Sequence, residues 1–213
     1  MLVISIKEIN KQRERILLDT EESFVLYRSE IRTLKIKEGA ELSQENYDKI
    51  VKGILPKRCK MRAMNLLKER NYTVYQLKKK LFDGGYPENI VNDTIDYVSS
   101  FGYVDDLKYA MAYIGEQESS YSRTEIKQKL LSKGIAGRVT EEAYSKLGLE
   151  REEYGEEDST GIEYELILKT LKKKGYSRDL DYESKQKVLA YFYRRGFDMD
   201  KVRKAMEETV IGM

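Results

Sequence analysis

Five times along this chain a glycine is followed by a large apolar residue and preceded, four and eight positions earlier, by residues at helical spacing. The sets are Leu77, Leu81, Gly85, Tyr86; Thr94, Val98, Gly102, Tyr103; Ile126, Leu130, Gly134, Ile135; Ile167, Leu171, Gly175, Tyr176; and Val188, Phe192, Gly196, Phe197. Thr94 is the weak member, and Ile95 can take its place. Glycine enters the left-handed conformation cheaply, and the apolar residue after it folds back onto the last helical turn. Gly85, Gly102, Gly134, Gly175 and Gly196 therefore read as helix caps. With five of the 14 glycines in one motif, the chain is committed to short stacked helices.

The spacing of apolar residues between the caps predicts helices near 57–70, 73–84 and 87–101, then 105–118, 122–133 and 137–147, then 159–174, 182–195 and 198–210. Thr73 offers an N-cap, and Pro87 sits where a first helical turn tolerates proline. The helix sets start near 57, 106 and 159, a period of about 50 that reads as a tandem repeat. The first forty residues differ. Leu2 to Lys7, Arg15 to Leu18 and Ser23 to Tyr27 are short apolar runs, with Asp19 to Glu22 as a turn, which suits a small antiparallel sheet. Ser43 can cap a helix over Tyr47, Ile50 and Val51, and Pro56 is read as closing this region. The expected fold is mainly α: three tandem three-helix repeats in an elongated curved stack, preceded by the sheet. The expected divisions are 1–55, 56–105, 106–158 and 159–213.

Charge bears on partners. The chain has 39 basic and 37 acidic residues, so its net charge is +2. By division the balance is 10 to 10, 9 to 6, 8 to 12 and 12 to 9. The acidic excess sits mostly in Glu150 to Asp158, which reads as a solvated loop or frayed helix end. Such a balance argues against strong unaided grip on phosphates, though weak contact with DNA fits it. Histidine is absent and Cys59 is the single cysteine, which excludes zinc sites built on those residues, an internal disulfide and any histidine base. Cys59, with no base to activate it, reads as structural. Neither GxxxxGK[ST] nor GxGxxG occurs, and no cofactor is expected. Asp105 and Asp106 precede an apolar-periodic helix, so Asp105 reads as its cap rather than as a metal ligand. No apolar run approaches the ~18 residues of a membrane span. The expectation is a soluble cytoplasmic monomer that makes no membrane contact.

Basic residues gather at helix ends: Lys78-Lys79-Lys80, Lys133, Lys172-Lys173-Lys174 and Arg194-Arg195. The helix dipole accounts for part of this pattern. The rest suits an edge that meets a partner. Arg70, Lys78, Lys79, Arg123, Lys127, Lys173, Arg194 and Arg195 are the candidate partner or phosphate contacts. Tyr86, Tyr103, Tyr176 and Phe197 follow cap glycines and read as core or staple residues. Tyr72, Tyr75, Tyr121, Tyr191 and Tyr193 are candidate interface residues.

Several of these stretches resemble a known family. Gly102-Tyr103-Val104-Asp105-Asp106, followed by Tyr109-Ala110 and Tyr113-Ile114, is similar to a stretch of the bacterial RecX proteins. Leu66-Leu67, Arg70, Thr73, Leu77 and Leu81 resemble that family's first unit, and Arg123, Ile126, Leu130, Lys133, Gly134 and Ile135 its second. Lys185-Gln186-Lys187 and Tyr191 to Phe197 resemble its third. The resemblance spans about residues 57–210. It implies a non-enzymatic modulator of the RecA recombinase in recombination, DNA repair and the SOS response. Such a protein lies in the groove of the RecA–single-stranded DNA filament and lowers ATP hydrolysis and strand exchange. The acidic middle division departs from the basic character of many members. A helical DNA-binding protein acting without a recombinase is the alternative.

Overall fold

Three strands open the chain, β1 (Val3–Asn10), β2 (Arg13–Leu18) and β3 (Ser23–Tyr27), and they form an antiparallel sheet in that order. The computed structural model describes residues 1–149 and 161–209, so the acidic run Glu150 to Asp158 lies outside the described residues. Asn10 turns β1 into β2 because its side-chain oxygen accepts from the backbone N–H groups of Gln12 and Arg13, both at 3.0 Å. Ile16 pairs with both Ile6 and Phe24 across the sheet, and Val3, Ile16, Leu18, Phe24 and Leu26 are buried. The free edge of β1 is covered: Val3 exchanges backbone bonds with Gly39 and Ala40, and the Glu38 carboxylate accepts from Ile6 N–H at 2.9 Å.

A short helix α1 (Arg28–Thr33), which the sequence pattern does not announce, follows β3 directly. It closes with the same hydrogen bonds as the glycine caps, Ile36 N–H to Ile31 carbonyl, although Lys35 holds the left-handed position at φ 52°. Helix α2 (Gln44–Asp48) is capped by Ser43 and runs through a π-helical stretch (Lys49–Ile54) into α3 (Leu55–Glu69). Pro56 does not close this region. It lies in the first turn of α3, where its missing N–H is least costly, and the wide turn before it absorbs the break.

The rest is helical: α4 (Val74–Asp83), α5 (Glu88–Ser100), α6 (Asp106–Gln117), α7 (Arg123–Ser132), α8 (Gly137–Lys146), α9 (Ile162–Lys173), α10 (Tyr182–Arg194) and α11 (Met199–Glu208). Three sets of three result, α3–α5, α6–α8 and α9–α11. The five cap glycines have φ between 65° and 84°. In each, the next residue's N–H bonds the carbonyl five positions back, as in Tyr103 to Val98 (3.1 Å) and Tyr176 to Leu171 (3.0 Å). A sixth example ends α8. Gly148 has φ 68° and Leu149 N–H bonds the Tyr144 carbonyl at 2.9 Å.

The chain divides into two compact units, Met1–Asp105 and Asp106–Met213. In the first, the sheet shares one apolar core with α3–α5, running from Val3 through Cys59 and Leu77 to Val104. The second has two cores, one around Ile114, Ile126 and Leu130, the other around Ile167, Leu171 and Phe192. Among the described residues no helix is long and apolar enough to cross a membrane.

Candidate partner interface

Arg195 occupies the last position before a cap glycine, where the dipole of α10 favours a cation. Its guanidinium is nevertheless spent inside the second unit. Nε and Nη2 donate to the Glu125 carboxylate at 2.8–3.0 Å, Nη1 to the Tyr191 hydroxyl at 2.7 Å, and Nη2 to the Ser120 carbonyl at 3.2 Å. The Glu125 hydrogen bond holds the guanidinium above its ordinary pKa, against the opposing effect of burial. Glu125 also completes a reciprocal cap on α7, accepting from Ser122 N–H at 3.2 Å while Ser122 Oγ accepts from Glu125 N–H at 3.1 Å. The Ser122 hydroxyl in turn donates to the Arg195 carbonyl. The C-terminal end of α10 is thereby seated on the N-terminal end of α7. Gly196 permits the approach: a Cβ there would lie 2.6 Å from Thr124 Cβ.

Gly85, at the end of α4, makes an equivalent approach in the first unit, with a Cβ there falling 2.2 Å from Val25 Cγ2 on β3. The arginine at this joint is Arg58 of α3. It donates to the Val25 carbonyl at 2.5 Å, pairs with Glu30 at 2.9 Å, and lies over the Tyr27 ring at 4.9 Å.

Two more candidates are held within the chain. Arg123 donates to the Leu149 carbonyl at 2.7 Å and to Glu141 at 3.1 Å, and its Cζ lies 4.0 Å from the centre of the Tyr144 ring. Lys127 meets the other oxygen of Glu141 at 2.5 Å. That lysine's hydrogen bond, helped by Arg123, draws the Glu141 pKa below its ordinary value. Tyr144 is buried beside them, and desolvation pushes its pKa up to about 12, against the pull of Arg123.

The remaining candidates face solvent. Arg70, Lys79, Lys173 and Arg194 are exposed and Lys78 is half-buried. Arg70 rests on the Tyr72 ring at 4.5 Å. Lys78, Lys79, Lys173 and Arg194 have no ion-pair partner among the described residues. Of the tyrosines, Tyr75 and Tyr193 are exposed, Tyr72 is buried, and Tyr121 and Tyr191 are half-buried beneath Lys129 and Lys174. Tyr103 departs from its expected core role. Phe197 is buried and Tyr86 and Tyr176 half-buried, whereas Tyr103 is 53% exposed and stacks on the exposed Phe101, itself packed edge-on to Tyr97. Val104 takes the buried place instead.

Asp106 opens α6 and Asp105 precedes it. No group of three or more acidic or cysteine side chains among the described residues is arranged to hold a metal. Cys59 is fully buried, and burial pushes its thiol pKa up.

Short helices in threes, closed by a recurrent glycine cap, define a helical-repeat protein. Residues 59–97 match the model of the RecX first three-helix domain, and residues 162–206 that of the third. A regulatory protein RecX of Caldanaerobacter subterraneus subsp. tengcongensis is 28% identical over 205 residues, covering 96% of this chain and 97% of the relative. That of Clostridioides difficile is 26% identical over 203 residues, covering 94% and 91%. A crystal structure of a regulatory protein RecX has the same fold, with a TM-score of 0.64 at 21% identity, covering 97% of this chain and 98% of that one. RecX from Lactobacillus salivarius aligns with a TM-score of 0.61 at 19% identity, covering 73% and 97%. The chain is thus similar to RecX regulatory proteins along nearly its whole length, and shares their fold.

Proposed function

We propose that this protein docks on the RecA–single-stranded DNA filament as a monomer in the cytoplasm, and restrains ATP hydrolysis and strand exchange without chemistry of its own. The observation that supports this is the division among its cations. Arg123, Lys127 and Arg195 are bound within the fold, while Lys78 and Lys79 in the middle of α4, and Lys173 and Arg194 at the ends of α9 and α10, keep their charge unspent. Free cations on a scaffold whose own ion pairs are already satisfied suit docking on an acidic partner. Arg70, Lys78, Lys79, Lys173 and Arg194 are the proposed contacts. The test is the rate of ATP hydrolysis by RecA on single-stranded DNA with substoichiometric protein. A clear fall is expected, and Arg194→Glu should weaken it while the variant stays folded. An unchanged rate at saturating protein would refute inhibition.

A second reading, DNA binding without a recombinase, draws on residues 55–83, where nine cations meet only Glu69 and Asp83. It requires binding to DNA alone with a steep dependence on salt.

A further inference from the structure

The middle helices of the three sets, α4, α7 and α10, share a feature that the cap does not demand. Three positions before the cap glycine stands a large, exposed apolar residue: Phe82 (42% exposed), Leu131 (64%) and Tyr193 (73%). Helices α5, α8 and α9 close with the same glycine geometry, yet carry Ser99, Ser145 and Lys172 at that position. The apolar choice therefore belongs to the middle helix and not to the motif. A lone exposed apolar side chain needs no explanation, but the same one in all three sets does. Charge follows the same division. Each middle helix carries three cations and one anion: Lys78, Lys79, Lys80 against Asp83; Arg123, Lys127, Lys129 against Glu125; and Lys185, Lys187, Arg194 against Glu183. No such constancy holds elsewhere, since α5 carries three anions and no cation while α8 and α11 balance.

We infer that Phe82, Leu131 and Tyr193 are equivalent docking knobs, one per repeat, each seating in an apolar dimple rimmed by carboxylates on successive copies of one subunit in a protein polymer. The proposal rests on the filament reading and deepens it. Complementary charge comes from the cations of each middle helix that no acidic side chain pairs among the described residues, Lys78 and Lys79 on α4, Lys129 on α7 and Arg194 on α10. A feature repeated three times in one chain calls for a partner surface that is itself repeated. Nucleic acid repeats too, but its bases would stack on aromatic rings, and Leu131 has none to offer.

The experiment compares Phe82→Ser, Leu131→Ser, Tyr193→Ser and the triple variant with wild type, after circular dichroism and thermal melting confirm folding. Binding is read against preformed RecA filaments on oligo(dT) and against oligo(dT) alone. Tyr182→Ser, at a site 78% exposed but outside the motif, is the control. Each single variant is expected to weaken filament binding about 5- to 10-fold and the triple more than 100-fold, as central apolar contacts at interfaces do, with the control unchanged. A folded triple variant that binds filaments like wild type overturns the proposal alone. Loss confined to one knob, or equal loss on oligo(dT), also overturns it. A wild-type protein that does not bind filaments overturns the proposed function together with it.

Discussion

The two units solve one packing problem with different neighbours. At Gly85 the end of α4 is pressed against a strand, with Val25 as the opposing surface, whereas at Gly196 the end of α10 is pressed against another helix, with Thr124 opposing. Both joints combine a glycine in the left-handed region with an arginine that satisfies exposed carbonyl and carboxylate oxygen. The arginine's origin differs: Arg58 comes from the preceding helix, while Arg195 is the neighbour of its own glycine. The lesson is that a repeat end can be seated on any firm surface, provided the approach is free of a Cβ and the polar groups at the contact are paired. A sheet in the first unit meets that need as well as a helix does in the second.

The largest effect that sharpens this comparison is expected from the glycines. Gly85→Ala and Gly196→Ala add a Cβ to a contact with no room and force a left-handed alanine, so each should cost about 2–4 kcal/mol in urea denaturation. Gly102→Ala meets nothing within 4 Å and should cost only about 1 kcal/mol. Equal losses at all three would show that the close approaches do not matter. The joints should also respond differently to a shortened neighbour. Val25→Ala removes the offending Cγ2 and should partly rescue Gly85→Ala, whereas Thr124→Ala keeps the Cβ at 2.6 Å and should rescue Gly196→Ala much less.

Next come the arginines. Arg58→Met and Arg195→Met each leave a half-buried carboxylate without its partner and should cost about 2 kcal/mol. For Arg195 the cycle with Glu125→Gln should show coupling above about 1 kcal/mol. This is also why reversing Arg194 and Arg195 together would confuse docking with unfolding, and Arg194 alone is the clean probe. Lys35→Gly relieves a left-handed lysine in the cap geometry of α1 and should raise stability by about 0.5 kcal/mol, readable as a higher melting temperature.

The smallest effect is one of pH. The Glu141 carboxyl titrates lower in the folded protein than unfolded, chiefly through the Lys127 hydrogen bond. Its contribution is therefore complete above the ordinary carboxylate value and disappears as pH falls through the lowered one. Because Glu141 is about half exposed, solvent screens the pair, and the loss should be about 0.5 kcal/mol or less. Glu141→Gln should flatten that part of the acid denaturation curve.

Much of the fold is legible in the residues because glycine caps are local: a left-handed residue and the apolar side chain after it mark a helix end without tertiary information. The sixth cap had the same spacing, Thr140, Tyr144, Gly148, Leu149, and is missed only because Thr140 and Tyr144 look weakly apolar, although both are buried. Pro56 misleads because proline is tolerated in a first helical turn, and nothing local announces the wide turn before it. The candidate contacts are less legible. Arg123 and Arg194 look alike in a linear sequence. Which of them is neutralised depends on Glu141 and the Leu149 carbonyl, eighteen and twenty-six residues from Arg123. Tyr103 fails for a related reason, since Val104 beside it competes for the buried place and wins it.

Cys59 gives the first unit its own clock. The thiol is fully enclosed in the core that joins the sheet to the first helices, and it is the single cysteine of the chain. A thiol-reactive dye can reach it only when that core opens, because burial holds the sulfur in its unreactive protonated form. Labelling rates in the native protein thus time the opening of residues 1–105 alone. Substitutions in the second unit that leave the rate untouched are, by that measure, energetically separate from the first.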